Sequence, residues 1–209
     1  MLKSSPGGAD LGEGGRETKA IGSWTETGDR TTVETGNGIG FTKRSKMNTQ
    51  QIEDEIVSAL KAIPKQFPNG GRNSEWTKAI LLAIGTLGQK LGYAVCGLRE
   101  HFQSAWLFDL SWYSASSPDG KLLDVPLVLE SEWDKSYKFI RFDFEKLLIA
   151  KSKFKVMIFQ ASGQTIIDYF KELEQGIRTY QGGSLGEIYL LACFNEEKWE
   201  FEIKRIEGV

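Results

Sequence analysis

The sequence predicts an α/β domain in which a mixed central sheet is flanked by helices. Three observations carry this prediction. The elements follow one another as α α β β β α β α β β. A run of turn formers, "SASSPDGK", joins the second and third strand candidates, which makes them an antiparallel pair. The later strands are linked through helices, so the sheet should be antiparallel at the front and parallel toward the back, with helices on both faces.

Each element has a local cause. Residues 1–46 hold ten of the 23 glycines, many Ser and Thr, and charges of both signs without apolar periodicity. Such a segment buries too little surface to offset its conformational entropy, so it is expected to be a disordered extension before a domain over residues 47–209. In that domain Ile52, Ile56, Leu60 and Ile63 recur at helical spacing, and Pro64 ends the helix. A second helix runs from about Glu75 to Leu91, with Asn73 or Ser74 as N-cap and Gly92 just past its end. The strands "GYAVCGL", "AWLFDLSWY" and "LLDVPLVLESEW" follow. Residues 139–152 read as a helix, "KVMIFQ" as a short apolar strand, and "TIIDYFKELEQGIRTYQ" as an amphipathic helix with Ile166, Tyr169, Phe170, Leu173 and Ile177 on one face. "EIYLLACFN" and the strictly alternating "KWEFEIKRI" close the chain, the latter as an edge or hairpin strand.

Composition narrows the function classes. The net charge of −2 argues neither for nor against a polyanionic partner, so a binding face has to come from local clustering. The two cysteines, Cys96 and Cys193, sit in apolar runs, and no Cys/His cluster suggests zinc. The single histidine, His101, is too little for a histidine-based metal site and reads as a surface residue. No segment approaches the apolar length of a membrane span or carries a signal-peptide pattern, so a cytoplasmic protein with no membrane partner is expected. Neither "NGGR" nor "GGSLG" has the context of a phosphate-binding loop, and Ser111 and Ser131 lack a His/Asp partner pattern.

The chemistry is carried by acids placed in hydrophobic strands. Side chains alternate along a strand, so Glu130 and Glu132 share a face opposite Leu129, Ser131 and Trp133. Asp109, in the preceding strand, shares its face with Leu107 and Ser111. A hairpin register that sets Asp109 beside Glu130 gathers three carboxylates in one patch, which repels itself or protonates unless a cation sits there. Mg²⁺, held by one or two carboxylates plus water and phosphate, resolves that conflict. The competing reading is that these acids lie on the solvated face of a half-exposed strand.

With Glu75 near the start of a core helix, Asp109 in the second strand and "ESE" in the third, the chain resembles the PD-(D/E)xK nuclease superfamily. The α-β-β-β-α-β order from Glu75 to Phe159 matches that family's core, and the resemblance spans roughly residues 73–195. It implies a restriction-endonuclease-like fold and metal-assisted hydrolysis of a phosphodiester in nucleic acid, with DNA as the first candidate. It assigns Glu75 to the family's helix carboxylate, Asp109 to the metal-binding Asp and Glu130 to the first acid of the third-strand motif. Glu132 stands where most members carry lysine, as in some restriction endonucleases, and Phe108 stands where the motif proline would be.

By this resemblance Asp109 and Glu130 would hold Mg²⁺ or Mn²⁺. Glu132 would bind metal or position water, and Glu75 would complete the outer coordination. The motif lysine would be replaced from the following helix by Lys146 or Lys151, a displacement known in the family, to stabilise charge at the scissile phosphate. Both can equally be surface lysines of the helix. Over residues 134–155 seven cations outnumber three carboxylates, a clustering that could track a phosphate backbone. The rivals are a nuclease-like fold without catalysis, acting as a DNA-binding or protein-interaction module, and an unrelated α+β domain. A homodimer is left open, since double-strand cutting would call on one.

Overall fold

The computed structural model describes residues 47–116 and 120–208. The segment expected to be disordered, residues 1–46, and the centre of the "SASSPDGK" turn lie outside the described residues. Seven strands form one sheet in the order β2-β1-β3-β4-β5-β6-β7. They are β1 (Ala94–Gly97), the two-residue β2 (Gln103–Ser104), β3 (Leu110–Ala115), β4 (Leu122–Glu132), β5 (Phe154–Ala161), β6 (Ile188–Asn195) and β7 (Glu200–Glu207). The β1–β3, β3–β4 and β6–β7 pairs are antiparallel, and β4–β5 and β5–β6 are parallel. This is the mixed α/β sheet that the element order predicts.

The pleat sorts the core into two layers. Leu110, Trp112, Leu127, Leu129, Val156, Ile158, Leu190 and Phe194 face helices α1 (Thr49–Ala62) and α2 (Asn73–Lys90). On the other face Val128, Met157, Phe159, Leu191 and Cys193 pack against α3 (Tyr137–Ile149) and α4 (Gln164–Thr179). In α4 the expected stripe is inward: Ile166, Leu173 and Ile177 are buried, with Tyr169 and Phe170 packed beside them. Glu130 follows Val128 by two residues, so alternation puts its side chain in the α3–α4 layer.

Helix ends follow their caps. Asn48 and Gln51 form a reciprocal capping box at the start of α1, and Pro64 begins a 3₁₀ turn over Ile63–Gln66. Helix α2 starts earlier than expected. Its N-cap is Arg72, neither Asn73 nor Ser74, because Glu75 folds back to accept from the Arg72 N–H at 2.7 Å. Gly92 does end α2, with φ +83° and the Tyr93 N–H reaching back to the Gly88 carbonyl at 3.0 Å.

Trp112 is fully buried and donates from Nε1 to the Ile84 carbonyl at 3.1 Å. A Cβ on Gly88 would lie 2.5 Å from that nitrogen. Gly88→Ala is therefore expected to destabilise the domain by about 1–3 kcal/mol, since the indole must shift within a packed layer. Thermal melting checks it, and an unchanged Tm would show that the ring yields freely.

Two boundaries and one charge pattern differ from expectation near the site. Strand β3 begins at Leu110, so "AWLFD" is a loop that leaves Trp106 and Leu107 exposed and puts Asp109 just before the strand. Helix α3 ends at Ile149 rather than 152, because Phe154 is taken into β5 and the chain must turn out first. Finally, the cations of residues 134–155 do not share one face. Lys155 is fully buried, Lys135 pairs with Glu196 at 2.6 Å, and Lys153 donates to Thr49 Oγ1 at 2.6 Å.

Candidate functional site

The β3–β4 ladder brings the first two acids together. Leu110 pairs with Leu129, so the next rung sets Asp109 opposite Glu130. The ladder itself stops at Leu110. Beyond it Asp109 Oδ2 accepts from the Ser131 N–H at 2.8 Å and from Ser131 Oγ at 2.9 Å. A side-chain oxygen thus takes the place of the next backbone acceptor, which fixes the Asp109 carboxylate beside β4 while the main chains part.

Glu130 is the buried member, 1% exposed. Lys146 of α3 places Nζ 2.7 Å from its Oε1 and 2.8 Å from Asp143 Oδ1. The Oε1 contact is an ion pair in which one amine is shared between two carboxylates. Burial pushes the Glu130 carboxyl up to about 7; Lys146 opposes the rise, and the negative charges of Asp109 and Asp143 add to it. Burial alone would lower the Lys146 amine. The carboxylates of Asp143 and Glu130 outweigh it and hold the amine above its ordinary value.

The remaining expected residues are placed differently. Glu132 is half-buried two residues along the same strand face, and its Oε1 accepts from the Asp134 N–H at 2.7 Å. Glu75 serves its own helix start. Its carboxylate is engaged by the backbone and guanidinium of Arg72, and no hydrogen bond or ion pair among the described residues joins it to Asp109 or Glu130. Lys151 lies exposed in the connection after α3, so it is not on the helix's apolar face. Of the two candidate lysines the structure therefore brings only Lys146 to the acids. Asp143 is the member that sequence reasoning missed. Its signal was the i,i+3 spacing to Lys146, which puts both side chains on one flank of the helix.

The three-carboxylate patch expected of Asp109, Glu130 and Glu132 is not assembled. Among the described residues no three His, Cys, Asp or Glu side chains are grouped to hold a metal. Asp109 and Glu130 are the two predicted ligands whose charges act on one another, and a Mg²⁺ site of two carboxylates with water and phosphate would draw on that pair. The upward pull of Asp109 on Glu130 is what such an ion would relieve.

Protonation makes the cluster's effect on stability pH-dependent. Between Glu130's ordinary value of 4.5 and about 7, the native state holds a proton that the unfolded chain has lost. Stability therefore falls as pH rises through that window and levels off above it. The loss is on the order of 3 kcal/mol. In metal-free buffer Glu130→Gln is expected to melt above the native chain at pH 8, with the gap closing toward pH 5. A gap of the same size at both pH values would contradict this.

The other charged groups near the sheet are structural. Arg205 on β7 meets the buried Glu53 of α1 at 2.8 Å, and Tyr169 on α4 donates to the Lys135 carbonyl at 2.8 Å, tying down the turn between β4 and α3. Gln160 donates to the Trp133 carbonyl and holds the end of β4 against β5. Among the described residues no helix is long and apolar enough to cross a membrane. No family model, curated protein or solved structure matches the chain.

Proposed function

We propose that the chain is a metal-dependent nuclease that hydrolyses phosphodiester bonds in DNA, related in plan to the PD-(D/E)xK enzymes. The observation that supports it most is Lys146. The resemblance lacks a lysine on the third strand, and here an amine from the next helix stands 2.7 Å from Glu130 on the rung shared with Asp109.

In this reading Asp109 and Glu130 hold Mg²⁺ or Mn²⁺, which supplies Lewis acidity and offsets charge on the scissile phosphate. Ser131 orients Asp109 through two hydrogen bonds. Glu130 would serve as a ligand in its charged form, which Lys146 favours. Lys146 is kept cationic by its two carboxylates and stabilises the charge that grows on the phosphate oxygens. Asp143 positions Lys146, and Glu132 remains to orient water at the half-exposed end of the strand.

The test is cleavage of DNA by the full chain in Mg²⁺ or Mn²⁺ against chelator. Cleavage should require the cation and disappear in Asp109→Ala and in Glu130→Ala. Activity that survives both substitutions overturns the assignment. A second reading, an inert nuclease-like module, is favoured by one observation: the amine of Lys146 already lies between Glu130 and Asp143 as a closed ion-pair network. Calorimetric titration with Mn²⁺ separates the two, because the inert module gives no binding heat that depends on Asp109 and Glu130.

A further inference from the structure

Ser111, the second residue of β3, is 1% exposed, and its hydroxyl has no hydrogen-bond partner. A buried hydroxyl left unpaired weakens a fold that alanine at the same position would not weaken, so such a group calls for a ligand. Leu110 and Trp112 point into the α1–α2 layer, so Ser111 points into the α3–α4 layer, the side that holds Glu130. Across the ladders it faces Val128 on β4 and Cys96 on β1, both buried. Val128 has no polar side-chain atom, and the Cys96 thiol leans toward Gln103 at 3.9 Å. Tyr113, next along the same face, commits its hydroxyl to Gln103 at 2.8 Å. On the hairpin the polar neighbours left to Ser111 are Glu130, one step diagonally across the ladder, and Asp109, two residues back.

Diagonal neighbours in an antiparallel pair stand roughly 7–8 Å apart. Ser111 makes no direct bond to Glu130, so the two are placed to share a water. The kind of water follows from the donor set. Among the described residues no third His, Cys, Asp or Glu joins the two acids to hold a metal. An ion on Asp109 and Glu130 therefore keeps most of its shell as water, as Mg²⁺ does by preference. Each of those waters has polarised protons that need acceptors. On the outer side solvent and phosphate accept them. On the inner side Val128 and Cys96 close the face, and the Ser111 oxygen, with two lone pairs, is the acceptor at hand.

We infer that Ser111 is a positioning residue of the cation site, its hydroxyl accepting a hydrogen bond from a water bound to the ion that Asp109 and Glu130 hold. This deepens the nuclease reading and rests on its cation. It concerns affinity for the ion, so it is tested without cleavage.

The experiment is calorimetric titration of the full chain with Mn²⁺ alone, joined to thermal melting in chelator and in Mn²⁺. Ser111→Ala should bind Mn²⁺ about tenfold more weakly than the native chain, the usual consequence of losing a group that supports a metal's ligands. In chelator the same variant should melt at or above the native chain, because it loses only an unpaired hydroxyl. A given excess of Mn²⁺ should raise the native melting temperature further than the variant's. Equal Mn²⁺ affinity in native and Ser111→Ala overturns the inference and leaves the cation site standing, with the hydroxyl holding a structural water only. A variant that melts below the native chain in chelator also overturns it, because the hydroxyl then has a partner inside the protein. Should the native chain give no Mn²⁺ heat that Asp109→Ala removes, the cation reading itself fails and takes this inference with it.

Discussion

Lys146→Met is expected to lower cation-dependent cleavage by about 10²–10³-fold, the usual consequence of removing one charge-stabilising donor from a reacting centre. Lys151→Met should leave the rate unchanged. The contrast follows from geometry: Lys146 meets Glu130 at 2.7 Å and Asp143 at 2.8 Å, whereas Lys151 is exposed beyond the end of α3. Methionine keeps most of the length and apolar contact of the lysine stem, so a lost rate cannot be laid to packing. Removing the amine also takes away the group that opposes protonation of Glu130, so residual activity should shift to higher pH. A pH–rate profile displaced in that direction marks an electrostatic role. Parallel losses in Lys146→Met and Lys151→Met would instead show a diffuse effect of surface charge on DNA affinity.

Lys155→Met is expected to destabilise the fold by about 3–5 kcal/mol without touching the cluster. Lys155 is fully buried on β5, and its ammonium lies 2.7 Å from Glu187 Oε2 and 3.0 Å from the Tyr189 hydroxyl. Tyr189 in turn donates to Glu187 at 3.0 Å, which closes a triangle beneath α3 and α4. Burial pulls the Lys155 amine below its ordinary value, and Glu187 resists the pull. Removing the amine strands a carboxylate in the core, which is costlier than the pair is valuable. The double variant Lys155→Met/Glu187→Gln should therefore recover most of the loss. Urea unfolding followed by tryptophan fluorescence reads both changes. A single variant as stable as the native chain would mean that water reaches Glu187.

The architecture was legible in the sequence because its signals are periodic and redundant. Helical spacing in "IEDEIVSAL", the apolar run "KVMIFQ" and the turn formers after β3 each point to one element. That β3 and β4 pair as antiparallel neighbours was legible too, because turn formers join them. The site's details were not. "AWLFD" carries the strand-favouring Trp106 and Phe108, yet it is a loop; the ladder ends where Asp109 bonds Ser131, a tertiary choice that propensity cannot express. The choice between Lys146 and Lys151 turned on where α3 stops, and boundaries are the least determined part of a sequence pattern. Lys155 counted among the cations that could track a phosphate backbone because its partners, Glu187 and Tyr189, arrive at the start of β6, more than thirty residues later.

From β3 to β7 the strands lie across the sheet in the order in which the chain makes them. Asp109, Glu130, Ser131, Asp143 and Lys146 all fall within residues 109–146, one hairpin and the helix that follows it. Loop-closure entropy for assembling the cluster is therefore small, and no distant segment has to be threaded into it. During synthesis, which proceeds from the N-terminus, these five side chains leave the ribosome together, ahead of β6 and β7. This cluster is thus the part of the molecule whose order of assembly depends least on the rest.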